Sequence, residues 1–126
     1  MINTVSFIEI QSSNPEREVA FYSALFGWKF TKQEQAHIEY YHFDTPSIYG
    51  GLMKRFAAVP PQEAGTNAFT CSVCVDDFDA TAEKIVELGG KVAMPRFAIE
   101  GKCWQGYFLD PDNNTFGIFK VDPEAK

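Results

Sequence analysis

The sequence repeats itself, and this repeat constrains the possible fold more than any other feature. When the chain is laid on itself with an offset of 63 residues, helix-start residues, leucines and glycines of the two halves coincide. The matched pairs are Phe7 and Thr70, Asn14 and Asp77, Leu25 and Leu88, and Gly27 and Gly90. Later strands match at an offset of 66, which pairs Asp44 with Asp110, Gly51 with Gly117 and Lys54 with Lys120. Such a repeat indicates that one supersecondary unit occurs twice.

Each copy predicts the same order of elements, β-α-β-β-β. Asn14 followed by Pro15 is typical of a helix start, and Asp76 or Asp77 has this role in the second copy. Both helices are predicted to end at glycine, at Gly27 and at Gly89-Gly90. The predicted helices span 15–25 and 78–88, and the predicted strands span 5–10, 28–30, 40–44, 49–54, 69–75, 91–93, 106–110 and 115–120.

This order predicts an α+β fold in a single domain of two tandem βαβββ modules. The modules cover about residues 1–56 and 66–122, and a proline-rich linker joins them. A length of 126 residues leaves room for one such domain. One helix covers one face of each sheet, so we expect the bare faces to curl into a shared groove that holds the functional site.

Charge and hydropathy exclude several partners. The 11 basic residues are outnumbered by 17 acidic ones, and the net charge of −6 would repel a phosphate backbone. No apolar stretch approaches the roughly 20 residues that span a bilayer. The first residues lack the basic and apolar segments of a secretion signal. We therefore expect a cytoplasmic protein with no nucleic-acid and no membrane partner.

The chain has three cysteines, two of which form a Cys-x-x-Cys motif at Cys71 and Cys74. In a strand, residues three apart point to opposite faces, so these thiols should not converge on a metal or close a disulfide easily. We expect reduced, partly buried thiols. The roles of these two residues and of Cys103 stay open.

Several motifs resemble the vicinal-oxygen-chelate superfamily, which includes glyoxalase I, bleomycin-resistance proteins and extradiol dioxygenases. The resemblance covers nearly the whole chain, and the segment 49–53 is similar to a bacterial glyoxalase-like subgroup. The motifs that carry it are Phe7-Ile8-Glu9-Ile10, Asn14-Pro15-Glu16-Arg17, Phe21-Tyr22, Leu25-Phe26-Gly27-Trp28, Val75-Asp76-Asp77, Leu88-Gly89-Gly90-Lys91-Val92 and Asp110-Pro111-Asp112-Asn113.

The resemblance implies four metal-ligand positions, which here hold Phe7, Gly51, Thr70 and Gly117. A phenylalanine and two glycines supply no imidazole or carboxylate donor, so we predict that no metal and no other cofactor is bound. The two histidines, His37 and His42, fall in a predicted turn and strand and should face opposite ways. We do not expect either to be a ligand.

Strand alternation places Glu9 on the same face as Phe7, which makes it the candidate catalytic residue. Among aromatic side chains its carboxyl would have a raised pKa and could act as acid or base. Alternatively, Glu9 forms a salt bridge or is hydrated at the edge of the groove. The predicted ligand-binding residues are Phe7, Gly51, Met53, Thr70, Ser72, Arg96, Trp104, Gly117 and Phe119, together with Tyr107 or Phe108.

Two of these predictions depend on position. Arg96 falls where the superfamily commonly has a loop over the site, so it would pair with an anionic ligand group or be solvated. The ring of Phe7 opposite Gly51 and Gly117 should leave an apolar cavity on the glycine side.

Three functions are compatible with these residues. The first is binding of a small, partly apolar organic molecule without turnover, as in the bleomycin-resistance branch. The second is a metal-independent lyase or isomerase that uses Glu9, and the third is a metal-dependent lyase or dioxygenase with displaced ligands. The resemblance also implies a homodimer.

Overall fold

The computed structural model describes residues 3, 5–64 and 69–126. The chain divides into two compact units, Met1–Val59 and Pro60–Lys126. The predicted start of the second module at residue 66 and the end of the predicted linker at residue 65 lie outside the described residues.

The first unit is a four-stranded sheet with one helix. Its elements are β1 (Phe7–Ser12), α1 (Pro15–Phe26), β2 (Lys29–Lys32), β3 (Tyr40–Asp44) and β4 (Tyr49–Lys54). The strand order is β1-β4-β3-β2, with β1 parallel to β4 and the other pairs antiparallel. The parallel pair is possible because the helix and two strands connect β1 to β4.

The second unit repeats this topology. After a short 3-10 turn at Gln62–Ala64, its elements are β5 (Ser72–Cys74), α2 (Phe78–Glu87), β6 (Lys91–Ile99), β7 (Cys103–Leu109) and β8 (Thr115–Val121). The strand order is β5-β8-β7-β6, again with one parallel pair. The predicted α+β class and the tandem βαβββ order are therefore confirmed.

The helix starts agree with their sequence signals. The side chain of Asn14 accepts a hydrogen bond from the amide of Arg17, and that of Asp77 accepts one from the amide of Ala80 at 3.0 Å. These side-chain oxygens accept hydrogen bonds from backbone N–H groups that have no other partner in the first helical turn. The N-cap predictions at both helices are confirmed.

The two helices end differently. Gly27 follows α1 in the left-handed conformation, with φ of 73°, as predicted. After α2 the positive φ of 102° belongs to Gly89, whereas Gly90, the repeat partner of Gly27, does not have one. The reason is that α2 ends one residue earlier than predicted, at Glu87, with Leu88 as its cap.

Strand bounds depart from prediction mainly at the sheet edges. β1 begins at Phe7 rather than at residue 5 and continues to Ser12, and β5 has three residues instead of the predicted seven. β6 is nine residues long and contains Pro95, with register shifts on both sides of Met94. Proline is tolerated there because β6 is an edge strand, where an amide needs no sheet partner.

Each unit has its own apolar core between sheet and helix. In the first unit Phe43 and Leu52 are fully buried, and Trp28 stacks on Phe43 with ring centroids 5.3 Å apart. In the second unit Ile85 of α2 and Ile118 of β8 are fully buried. These residues identify the helix-facing side of each sheet.

Two buried carboxylates stabilise the local structure around them through hydrogen bonds and an ion pair. Glu18 in α1 is fully buried, accepts a hydrogen bond from the Ser12 hydroxyl, and is bound by the Arg17 guanidinium at 2.7 Å. Asp110 accepts hydrogen bonds from the amides of Asp112 and Asn114 at 2.8 and 2.9 Å, in the turn that the sequence predicts.

Candidate functional site

Each sheet has a face directed away from its helix, called here the helix-free face. In the first unit Ser12 contacts α1 through Glu18, so the alternate residues of β1 point the other way. The strand register places the side chains of Phe7, Glu9, Gln11, Tyr40, His42, Asp44, Tyr49, Gly51 and Met53 on this face.

Glu9, Gly51 and Tyr40 form one arrangement on the helix-free face of the first sheet. Glu9 and Gly51 are register partners on β1 and β4. The Tyr40 side chain reaches from β3, so that its hydroxyl lies where a Cβ on Gly51 would be. The charge of the Glu9 carboxylate acts on this hydroxyl. Because Gly51 has no side chain, the Tyr40 side chain can extend over β4.

This arrangement affects the protonation of the phenol. Burial raises the pKa of Tyr40 above its ordinary value of 10.0, and the negative charge and hydrogen bond of Glu9 raise it further. Each cause disfavours the phenolate. The phenol therefore stays protonated at neutral pH.

His42 lies beside Gly51 in the register and has aromatic neighbours on both sides. Its ring centroid is 6.4 Å from that of Phe7 and 5.8 Å from that of Tyr49. Its Nδ1 atom is 3.8 Å from a carboxylate oxygen of Asp44. Phe7 and Tyr49 are 44% and 58% exposed, so two large rings present apolar surface next to an imidazole.

The helix-free face of the second sheet is built differently. Gly117 has the Ser72 hydroxyl, the Gln105 amide and the Tyr107 ring over its Cα, where a Cβ would lie. Gln105 is buried and donates to the Ser72 hydroxyl at 3.1 Å. Phe119 is the register partner of Gln105 and shares this face.

The prediction of a cavity beside the two glycines is wrong. The space over Gly51 is occupied by Tyr40, and the space over Gly117 is occupied by Ser72 and Gln105. A glycine leaves room, but a neighbouring strand supplies a side chain that fills it. An open depression lies instead at the β2–β3 hairpin, lined by residues 31–36 and by Tyr40.

Two predicted binding residues lie on the helix-facing side of the second sheet. Arg96 is part of β6 rather than a loop; its guanidinium lies 4.5 Å from the centroid of the Trp104 ring and 3.5 Å from Asp79 of α2. Trp104 also donates to Asp122 at 3.0 Å. The resemblance implied a loop at Arg96, and this expectation is wrong because the residue lies in a strand. The prediction that Trp104 borders the site is also wrong, because in the register of β7 with β8 it is Gln105 and Tyr107 that share a face with Gly117.

The remaining predicted residues fall as follows. Met53 lies on the helix-free face of the first sheet, and Ser72 on that of the second. Thr70 precedes β5 and is half-buried, so its predicted place in a strand is wrong. Of the two alternatives on β7, Tyr107 lies near Gly117, whereas Phe108 is buried near Phe78 of α2.

The cysteines are free, and Cys71 and Cys74 are exposed rather than partly buried as expected. Cys74 is in β5, which is an edge strand of only three residues, and Cys71 precedes it. So short an edge strand buries little of either thiol. Cys103 is half-buried in β7.

The positions that the resemblance implies for a metal do not fit one. Phe7, Gly51 and Gly117 have no donor atoms in their side chains, and the space around the glycines is filled by other residues. In the described part of the chain, no three His, Cys, Asp or Glu side chains are grouped so that they could hold a metal ion.

Sequence reasoning missed Tyr40 and Gln105 and treated His42 as unimportant. The strand Tyr40–Asp44 alternates half-buried or exposed residues with the buried Tyr41 and Phe43. That alternation indicates a face with polar side chains. Their proximity to Gly51 and Gly117, however, depends on which strands are neighbours.

A model of the Glyoxalase/Bleomycin resistance protein/Dioxygenase superfamily matches residues 4–118. The match covers most of the chain, so the protein belongs to this superfamily. The resemblance noted in the sequence is thereby confirmed. Neither helix of the described residues is long and apolar enough to cross a membrane.

Relatives and solved structures agree with this assignment. A glyoxylase-like domain-containing protein of Didymella fabae is 31% identical over 122 residues, which cover 90% of this chain and 91% of that protein. A protein provisionally named glyoxylase CFP32, from Mycobacterium bovis, is 25% identical over 121 residues. That match covers 94% of this chain and 46% of the mycobacterial protein, so the chain spans about half the length of that relative.

The fosfomycin resistance protein FosX from Listeria monocytogenes has the same fold, with a TM-score of 0.78 at 18% identity. The likeness covers 97% of this chain and 94% of FosX. Another structure of FosX contains Mn(II) and 1S,2S-dihydroxypropylphosphonic acid. At this level of identity the likeness shows the fold alone.

Proposed function

We propose that the chain binds a small, partly apolar organic molecule on the helix-free face of its first sheet, without a metal ion. The observation that carries this proposal is the pair of exposed rings, Phe7 and Tyr49, on either side of His42. The Glu9 carboxylate lies on the same face. Apolar surface next to a few fixed polar groups is typical of small-molecule sites.

The driving force would be burial of ring surface. Removing apolar area from water contributes roughly 25 cal/mol per Å², so covering the exposed parts of Phe7 and Tyr49 with a flat ligand is favourable. Stacking geometry adds to this for an aromatic ligand. His42, Glu9 and Tyr40 would orient the polar end of the molecule.

A second candidate function is metal-independent catalysis of a lyase or isomerase step, and the position of Glu9 on the same face as the exposed Phe7 ring favours it. A carboxylate in a fixed position can take a proton from carbon or oxygen of a bound substrate. In this scheme Glu9 is the base, and Tyr40 is a positioning residue that keeps the carboxylate oriented.

The test of binding uses 1-naphthylmethanol as a neutral, flat probe in isothermal titration calorimetry. We expect saturable binding that weakens about tenfold in Phe7→Ala, since the variant loses one ring surface. Phe56→Ala is the matched control, because Phe56 is 82% exposed and lies beyond the end of β4. Absence of binding at millimolar probe, or equal loss in both variants, would reject the proposal.

Product analysis separates the two candidate functions. For the binding function, nuclear magnetic resonance should show each bound compound unchanged after prolonged incubation. For the catalytic function, a compound that is converted should no longer be converted by Glu9→Gln, although it should still bind.

We also propose that the protein works in the cytoplasm as a homodimer and carries no metal or other cofactor. Light scattering at micromolar concentration tests the dimer. Elemental analysis of the purified protein tests the metal, and we expect far less than one equivalent of Zn, Ni, Fe or Mn. A near-stoichiometric metal that resists chelators would overturn this part of the proposal.

A further inference from the structure

We infer that the preferred ligand of this face is an aromatic molecule with a positively charged amine, for which Glu9 supplies the counter-ion. The inference rests on the proposed function, because it assumes that the helix-free face of the first sheet is the binding site. It adds the charge of the ligand, which the exposed rings alone do not determine.

The first argument is the balance of charges on this face. Two carboxylates, Glu9 on β1 and Asp44 on β3, flank the rings of Phe7 and Tyr49. Lys29 on the edge strand β2 is the register partner of Asp44 and shares this face with it, whereas Glu9 lies three strands away from β2. The protein as a whole has a net charge of −6, which raises the local concentration of cations.

The arginine nearest to the site is engaged elsewhere. Arg55 follows the end of β4, and its guanidinium donates to the backbone carbonyl of Gln11 at 3.4 Å, beyond Glu9 along β1. His42 lies between the rings and is 3.8 Å from Asp44.

The second argument concerns the contacts of the Glu9 carboxylate. Within the described part of the chain, no lysine or arginine forms an ion pair with Glu9, so no such contact offsets its charge. An ionised carboxylate has about four acceptor sites. These sites can accept from an ammonium group, which has up to three donors.

The third argument is the position of the rings. A cation is attracted to the face of an aromatic ring within about 6 Å of its centroid. Phe7 and Glu9 are two residues apart on one strand, so a ligand ring at Phe7 would place an attached amine near the carboxylate. An anionic group in that position would be repelled by Glu9.

The experiment compares three probes that share one ring system: 1-naphthylmethylammonium, 1-naphthylmethanol and 1-naphthoate. Calorimetry at low and at physiological salt measures their dissociation constants on the wild-type protein. We expect the ammonium probe to bind at least about tenfold more tightly than the alcohol, and the naphthoate to bind most weakly. The preference should decrease as salt rises.

Glu9→Gln should abolish the preference, so that the ammonium and alcohol probes bind about equally. Asp76→Asn is the matched control, because Asp76 is an exposed carboxylate in the second unit, and it should keep the preference. Equal loss in Glu9→Gln and Asp76→Asn would overturn the inference.

The wild-type comparison separates the two proposals without any variant of Glu9. If the alcohol and ammonium probes bind equally and both weaken in Phe7→Ala, the binding function stands and the inferred charge preference is wrong. If none of the probes binds, or if Phe7→Ala has no effect on those that do, the binding function fails and the inference fails with it.

Discussion

The hydroxyl of Tyr40 lies over the Cα of Gly51, at the place where any other residue would have its Cβ. There the nearby charge of Glu9 raises the pKa of the hydroxyl further above its ordinary value. Three adjacent strands thus contribute one residue each, and the missing side chain of Gly51 leaves the space that Tyr40 occupies. Gly51 has no side-chain donor for a metal, and the space over it holds the Tyr40 hydroxyl.

Gly51→Ala should destabilise the protein by about 1–3 kcal/mol, because the new methyl group overlaps the Tyr40 ring and hydroxyl. Urea denaturation measures the change. The same substitution in a Tyr40→Ala background should cost less, since the overlapping side chain is gone. Equal costs in the two backgrounds would contradict the arrangement.

The phenol of Tyr40 should titrate above pH 10, and Glu9→Gln should lower its pKa while leaving it raised by burial. The difference in absorbance at high pH between the wild type and Tyr40→Phe measures the titration of this residue. Since the folded protein holds this proton more tightly than the unfolded chain, the free energy of unfolding should fall as the pH rises above 10. Tyr40→Phe should lose that part of the pH dependence.

Gly117→Ala should destabilise the second unit, because its methyl group would meet the Ser72 hydroxyl and the Gln105 amide. Gln105 is only 6% exposed, so it cannot move into solvent without breaking local packing. We expect a loss of about 1–3 kcal/mol by urea denaturation. A background with Ser72→Ala and Gln105→Ala should reduce that loss, and an unchanged loss would show that these side chains are not the obstacle.

Glu18→Gln should lower the free energy of unfolding by about 1–3 kcal/mol, because the buried carboxylate binds both the Arg17 guanidinium and the Ser12 hydroxyl. Asp79→Asn makes the same chemical change in a solvent-exposed ion pair with Arg96. Such pairs contribute about 0–1 kcal/mol, so the control should change little. Similar losses in the two variants would contradict the role of burial.

Asp110→Ala should cost more than about 2 kcal/mol, because two backbone amides of the turn lose their acceptor within the protein. Thermal unfolding followed by circular dichroism measures the effect. Asp76→Ala, at an exposed carboxylate, is the control and should have almost no effect. If the two variants unfold at the same temperature, the Asp110 hydrogen bonds do not stabilise the turn.

Much of the fold could be predicted because its signals are local. Asn14 and Asp77 begin helices through hydrogen bonds to amides three residues away, and Gly27 ends a helix through its own φ. In the Asp110–Asn114 turn, Asn113 has a φ of 62°, as its residue type allows. Local interactions of this kind depend on the neighbouring sequence, and the internal repeat supplied two examples of each.

The composition of the candidate site was predictable in part for the same reason. Alternation along one strand places Phe7 and Glu9 on one face, and the residues at positions 7, 51 and 117, where the resemblance implies metal ligands, have no donor atoms in their side chains. Both conclusions follow from identity and spacing along the chain.

Contacts between strands could not be predicted in this way. Whether Tyr40 fills the space over Gly51, and whether Trp104 or Gln105 lies beside Gly117, depends on which strands pair and in what register. A shift of one residue in the register moves every side chain of a strand to the other face. The register shifts in β6 therefore change which face the residues around Arg96 occupy. The sequence by itself determined the two βαβββ units, because local hydrogen bonds and residue types settle them. Only the tertiary structure decided which side chains meet on the helix-free faces, because those contacts join residues far apart in the chain.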